Sequence, residues 1–176
     1  MGRQKRSYNE LYKLYCATVT PRSWFAKLIE RAQTLKLPWF SSVFDIKDVA
    51  FLETLDCPRY KISAYEMLDG DLIAAVVLTR KPIIMSVRPQ PGLTILQASD
   101  YNGNITPLGV SDHSKEGLPY HNCPMVERHI CLPDVDTPDR SFSSTPEEFA
   151  AYVRAIRNAE NMSPMHLSGN QTEPVV

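Results

Sequence analysis

Short apolar segments that alternate with helical segments are the feature of this chain that most constrains its fold. Six apolar segments have the length of β-strands: residues 37–41, 60–64, 82–86, 93–98, 108–111 and 125–130. Helical patterns precede or separate the first three, with helix-start residues at Thr20, at Asp45 and at Asp69 or Asp71. This alternation predicts an α/β fold in which helices cover a parallel sheet.

Prolines limit the second half of the predicted fold. Between residues 85 and 125 lie Pro89, Pro91, Pro107, Pro119 and Pro124. Proline fixes φ and removes a backbone donor, so this stretch cannot hold long helices. A complete (β/α)8 barrel has about 250 residues, whereas this chain has 176 residues. The pattern alone therefore fits both a partial barrel and an open, doubly wound sheet.

Length, charge and cysteine content narrow the class of protein. The length of 176 residues predicts one domain, over residues 1–160, followed by a polar, disordered tail at 161–176. A net charge of -1 gives no electrostatic basis for binding nucleic acid or a membrane surface. The four cysteines form no C-x-x-C pair, and no signal-peptide pattern or membrane-length apolar run is present. We therefore expect reduced thiols in a cytoplasmic protein.

Two polar blocks lie at the ends of the last two predicted strands. The block at 109–114 contains His113, and the block at 127–129 contains Glu127 and His129. Two imidazoles and nearby carboxylates, with open positions beside them, suit a catalytic divalent metal ion better than a closed structural site. Both histidines also fit an ordinary place in surface loops, and spacing alone leaves that alternative open.

Six sequence blocks follow one another in a fixed order along the chain. They are Phe40–Asp45, Tyr60–Glu66, Lys81–Ser86, Gly109–Ser114, Glu127–His129 and Thr137–Ser143. This order resembles the sialic acid synthase family, and within it the pseudaminic acid synthases. The resemblance implies a partial or reduced TIM (β/α) barrel with about six parallel strands. It also implies that two N-terminal strands, three barrel helices and a C-terminal antifreeze-like domain of the family are missing. Because six strands leave sheet edges unpaired, we expect a homo-oligomer or a partner chain.

The same resemblance implies a reaction. Members of the family condense phosphoenolpyruvate with an N-acetylated aminosugar to give a nine-carbon keto acid. A divalent metal ion, manganese or magnesium by resemblance, polarises the sugar aldehyde. By position, the resemblance implies His113 and His129 as metal ligands, Glu66 and Glu127 as catalytic carboxylates, and Ser42, Lys61, Ser86, Ser111 and Asp139 as substrate-binding residues.

Departures from the family pattern favour weak activity. Ala64 stands where the family has a serine, and Ser63 would point to the opposite face of a strand. The leading hypothesis is a sialic or pseudaminic acid synthase-like protein of carbohydrate biosynthesis, weakly active or inactive as an isolated chain. The alternative is a catalytically inactive relative that keeps metal or anion binding, as an accessory subunit or a truncated reading frame.

Overall fold

The computed structural model describes residues 10, 13, 16–90, 92–100, 102–114, 123–135 and 137–162. The chain divides into two compact units, one ending at Trp39 and the other beginning at Phe40. The prediction of one domain over residues 1–160 stays a prediction. Most of the predicted disordered tail, residues 163–176, lies outside the described part of the chain.

The described part of the first unit includes a helix of ten residues. Helix α1 spans Phe25–Thr34 and follows a 3₁₀ turn at Arg22–Trp24. Pro21 precedes the turn with a φ of -60°, which suits the start of a helix. Lys36 has a φ of 54°, a left-handed conformation that ends the helix. The helix predicted after Thr20 is therefore confirmed.

The second unit contains a six-stranded sheet and three helices among the described residues. In chain order its elements are β1 (Ser41–Ser42), α2 (Ile46–Glu53), β2 (Tyr60–Ile62), α3 (Gly70–Leu78), β3 (Ile83–Gln90), β4 (Leu93–Ser99), β5 (Ile105–Asp112), β6 (Met125–Arg128) and α4 (Pro146–Met162). Helices α2 and α3 begin where the sequence predicts. Asp45 caps α2 by accepting from the N–H of Lys47, and Asp69 caps α3 by accepting from the N–H of Leu72.

The sheet has the strand order β1-β2-β3-β4-β5-β6 and curls into a half-barrel. Strands β1, β2 and β3 are parallel to one another, and so are β5 and β6. The α/β class and the partial barrel of six strands are thereby confirmed. Self-association at the two outer strands stays a prediction.

Strand β4 differs from the prediction of parallel strands, because it runs antiparallel to both β3 and β5. The reason is the length of the connections. A parallel pair needs a crossover of about a dozen residues or more, but β3 ends at Gln90 and β4 begins at Leu93. Gly92, with a φ of 78°, lies in this tight turn. The return turn contains Gly103, with a φ of 80°, and the carboxylate of Asp100 accepts from the N–H of Asn102 there.

Helices α2 and α3 pack against each other, and their apolar side chains are buried. Val49 and Leu52 of α2, and Leu72 and Val76 of α3, are at most 4% exposed. Each fully buried side chain of this size contributes about 1.5–3 kcal/mol. None of the helices in the described residues has the length and apolarity needed to cross a membrane.

Candidate metal and anion site

The register of the sheet brings the predicted site residues together in pairs. Ser42 of β1 pairs with Lys61 of β2, and Ser111 of β5 pairs with Glu127 of β6. All four strands run in the same direction. These four side chains therefore lie near the carboxyl ends of their strands, at one edge of the sheet. The curl of the sheet then closes the gap between β2 and β6, because Lys61 and Glu127 are in direct contact.

A chain of polar contacts runs from Lys61 to His113. The ammonium of Lys61 lies 2.6 Å from each carboxylate oxygen of Glu127. The hydroxyl of Ser111 donates to Oε1 of Glu127 at 2.6 Å and lies 3.0 Å from Nε2 of His113. The hydroxyl has one proton, which it gives to Glu127, so it accepts from Nε2 of His113. The side chains of Lys61 and Glu127 are only 14% and 22% exposed, which makes their pairing stronger than that of a surface ion pair.

His113, Glu127 and His129 form a group that could hold a metal ion. One ligand atom from each of the three lies within 4.8 Å of the others, and all three side chains are half-buried. Ligand bonds of about 2.0–2.2 Å need only small rotations to bring these atoms around one cation. Two nitrogens and one carboxylate leave positions open for water or substrate, so the donor set fits a catalytic divalent ion.

A carboxylate and an aromatic ring hold the two imidazoles. Nδ1 of His129 lies 3.2 Å from Oδ2 of Asp139, whose side chain is 50% exposed. A carboxylate on one ring nitrogen fixes the tautomer and leaves the other nitrogen available to a metal. The ring of Phe142 packs 5.0 Å from that of His113 and 5.1 Å from that of His129. Asp139 is thus placed to orient His129, whereas the family resemblance assigns it to the sugar.

The surroundings shift the pKa of two groups in this cluster. Burial raises the pKa of Glu127, but the Lys61 ammonium and the Ser111 hydroxyl outweigh burial, and the pKa ends below its usual value. Burial, and next the neighbouring His129, lower the pKa of His113. At neutral pH Glu127 is therefore ionised and His113 is neutral, the forms that metal ligands require.

Three predicted residues lie apart from these contacts. Glu66 is in the 3₁₀ turn Glu66–Leu68 and accepts a hydrogen bond from the hydroxyl of Ser63. In the described part of the chain, no hydrogen bond or ion pair joins Glu66 to the cluster. Ser86 is 5% exposed in β3, two residues beyond the partner of Lys61, and so points to the same sheet face. Ser42 pairs with Lys61 on the neighbouring strand and so lies beside the site.

Sequence reasoning missed several residues beside the site. Thr94 of β4 pairs with Ser111 and is 6% exposed, a position that only the antiparallel direction of β4 creates. Asp112 and Arg128 pair across β5 and β6 and form an ion pair at 3.3 Å. The sequence indicates where both side chains point. Asp112 follows Ser111 and Arg128 follows Glu127, and neighbouring residues of a strand point to opposite faces.

Comparison with known proteins finds a matching family and related curated proteins. Residues 2–100 match the model of the NeuB family. The chain is 31% identical over 194 residues to a pseudaminic acid synthase of Helicobacter pylori, covering 85% of this chain and 56% of that protein. It is 28% identical over 192 residues to a pseudaminic acid synthase of Campylobacter jejuni, covering 86% of this chain and 56% of that protein. The chain thus spans about half the length of these curated relatives.

Proposed function

The chain belongs to the NeuB family, and from that membership we propose that its site binds phosphoenolpyruvate and an N-acetylated aminosugar around a divalent metal ion. The reaction proposed is the condensation of these two substrates to a nine-carbon keto acid in carbohydrate biosynthesis. Manganese or magnesium is the proposed ion, and the cytoplasm is the proposed compartment. The observation that carries the proposal is the contact of Lys61 and Ser111 with the group His113, Glu127 and His129.

The anion-binding part of the proposal assigns Lys61, Ser111 and the neighbouring serines to phosphoenolpyruvate. Lys61 supplies a positive charge, and charge-assisted hydrogen bonds to an ionised group contribute about 1.5–3 kcal/mol. Ser42 and Ser86 share the sheet face of Lys61 and add hydroxyl donors. In the described structure Lys61 is paired with Glu127, so an incoming phosphate or carboxylate must replace that carboxylate as its partner.

The metal-binding part assigns His113, His129 and Glu127 as ligands. When bound, a divalent ion would supply Lewis-acid polarisation of the sugar carbonyl. Asp139 keeps the imidazole of His129 in one orientation, and the ring of Phe142 packs against both imidazole rings. The family resemblance also assigns Glu127 as a catalytic carboxylate, and its ionised form next to Lys61 can accept a proton.

Two observations favour weak turnover by this chain. The second predicted carboxylate, Glu66, accepts from Ser63, and its only described partner lies outside the cluster. Ala64 supplies no hydroxyl where the family pattern has one. The second candidate function, a relative that binds metal and anion without turnover, is favoured by these same two observations.

Phosphoenolpyruvate binding and phosphate release test the proposal. With manganese present, we expect calorimetry to detect phosphoenolpyruvate binding by the wild-type chain. With N-acetylmannosamine or its diacetamido analogue added, we expect phosphate release well below 1 s⁻¹, the low end for typical enzymes. Lys61→Met should abolish binding, because it removes the cation from the anion site.

Lys81→Met is the matched control, because Lys81 pairs with Glu53 in a more exposed ion pair, at 26% and 38% exposure. We expect it to bind phosphoenolpyruvate like the wild type. A wild-type chain that does not bind phosphoenolpyruvate, or a Lys61→Met variant that binds it equally well, would contradict the anion site. Turnover near 1 s⁻¹ would show a complete synthase and contradict the expected weak activity.

A further inference from the structure

A buried ion pair lies on the opposite side of β5 and β6 from the candidate site. Asp112 Oδ2 and Arg128 Nη1 are 3.3 Å apart, and their side chains are 0% and 2% exposed. Asp112 directly precedes His113, and Arg128 directly precedes His129. Because side chains alternate along a strand, the ion pair and the two imidazoles project from opposite faces of the same strand ends.

The guanidinium of Arg128 holds the backbone on both sides of His113. Nη1 of Arg128 donates to the carbonyl of Asp112 at 3.2 Å and to the carbonyl of Ser114 at 2.6 Å. The carboxylate of Asp112 accepts from the N–H of Ser114 at 2.8 Å. The side chain of Arg128, on the neighbouring strand, therefore holds the backbone carbonyls on both sides of His113.

The same guanidinium reaches the segment that carries His129. Nε of Arg128 donates to the hydroxyl of Ser144 at 2.9 Å. The N–H of Ser144 donates to the carbonyl of His129 at 2.9 Å, and the N–H of Cys131 donates to the carbonyl of Ser144 at 2.9 Å. Through Ser144, Arg128 is therefore tied to the backbone on both sides of Ile130, directly after the second histidine.

Helix α4 completes the network. The hydroxyl of Tyr152 donates to Oδ2 of Asp112 at 3.0 Å, and the guanidinium of Arg128 lies 5.6 Å from the centre of the Tyr152 ring. Tyr152 is 8% exposed. The guanidinium of Arg128, at the end of β6, thus interacts with helix α4, with the end of β5 and with the segment around Ser144.

Stability alone does not account for this arrangement. Removing two charges from water costs several kcal/mol for each ion, and a well-packed apolar pair is often as stable as a buried ion pair or more so. What distinguishes Arg128 is the set of its acceptors, because they flank the two histidines. A planar group with five N–H donors in fixed directions can hold several acceptors at once, which an ammonium cannot do.

We propose that Arg128, together with Asp112 and Ser144, is a positioning unit that sets the separation and orientation of His113 and His129 and so tunes the affinity of the site for a divalent cation. The proposal rests on the metal site proposed above. None of the three side chains belongs to the group that could hold the cation; they act through the backbone segments that carry the ligands. Loss of partners that orient metal ligands typically costs about 10–100-fold in affinity.

Manganese titration of Arg128→Lys tests the proposal. Lysine keeps the positive charge beside Asp112 but cannot donate to the carbonyls of Asp112 and Ser114 and to Ser144 together. We expect the variant to remain folded and to bind manganese about 10–100-fold more weakly by calorimetry. Ser144→Ala, which removes only the hydroxyl, should weaken binding in the same direction and decides the question if Arg128→Lys does not fold. Arg157→Lys is the control, because Arg157 is 71% exposed on α4, and should bind like the wild type.

A measurement without metal separates this proposal from the metal site itself. The rings of His113 and His129 are 5.0 Å apart and both contact Phe142, so their NMR resonances report small displacements. We expect both resonances to shift in Arg128→Lys and Ser144→Ala and to stay unchanged in Arg157→Lys. If the wild type binds no manganese, the proposed metal site fails and these resonances alone decide the positioning role. Unchanged resonances, or unchanged manganese affinity in both variants of a metal-binding wild type, would overturn it.

Discussion

Replacing Gly109 by alanine is expected to destabilise the protein by about 3 kcal/mol, the upper end of the usual cost of overpacking. Gly109 pairs with Met125 where β5 meets β6. A Cβ atom at Gly109 would lie 1.8 Å from the carbonyl oxygen of Met125 and 2.7 Å from its carbonyl carbon. Both are backbone atoms, so a side-chain rotation cannot relieve the overlap and the two strands must move apart.

The displacement also has a functional consequence, because β5 and β6 carry Ser111 and Glu127 two residues further along. Gly109→Ala should therefore lose manganese affinity together with stability. Gly70→Ala is the matched control, since a Cβ there would meet nothing within 4 Å at the start of α3. Thermal unfolding should show a melting temperature about 6–12 °C lower for Gly109→Ala and little change for Gly70→Ala. A Gly109→Ala variant as stable as the wild type would show that the strands are not this close.

Lys61→Met is expected to have the second largest effect, a loss of about 1–3 kcal/mol at neutral pH. Removing one partner of a fully buried ion pair costs about 3–5 kcal/mol, and the partial exposure of Lys61 and Glu127 reduces that figure. In the wild type the pKa of Glu127 is lowered, so its stabilising contribution is present above the ordinary value of about 4.3 and is lost as pH falls through the lowered pKa.

In Lys61→Met the sign of this linkage reverses. Burial, the largest influence on Glu127, then acts without the ammonium and raises the pKa of Glu127. A raised pKa makes the carboxylate destabilising at neutral pH and harmless once it is protonated. Urea unfolding should therefore show a larger difference between variant and wild type at pH 7.5 than at pH 4.5.

Lys81→Met again provides the control, because the exposed pair of Lys81 and Glu53 should contribute about 0–1 kcal/mol. An equal loss of stability in the two lysine variants would contradict the shielded pairing of Lys61. A difference between Lys61→Met and the wild type that does not depend on pH would contradict the assignment of that loss to Glu127.

The last five strands were predictable because their signals are local, whereas β1, at Ser41–Ser42, shares only one residue with the predicted segment 37–41. Each apolar segment is bounded by turn or cap residues, and Asp45 and Asp69 cap their helices as side-chain chemistry requires. The sequence also indicates that β4 is antiparallel to β3. The Pro91-Gly92 pair between two apolar segments indicates a tight turn. The family resemblance favoured parallel strands, and the short connections override it.

Long-range contacts were the part that the sequence could not supply. The pairing of Lys61 with Glu127 joins residues 66 positions apart, and it depends on how far the sheet curls. Glu66 was expected near that pair, but it lies in a 3₁₀ turn after β2. The sequence has no periodic pattern from which the conformation of this turn could be predicted. Whether Glu66 has a catalytic role stays a prediction.

The central claim is that His113, Glu127 and His129 bind one divalent cation, and calorimetry with manganese at pH 7.5 tests it most directly. The account predicts one site per chain in the wild type and no measurable binding in His113→Ala or His129→Ala, with His166→Ala, in the predicted tail, behaving like the wild type. Binding should weaken only as pH falls below the ordinary histidine value of about 6.5, because burial lowers the pKa of His113. Equal manganese affinity in the wild type and in both site variants would contradict the account.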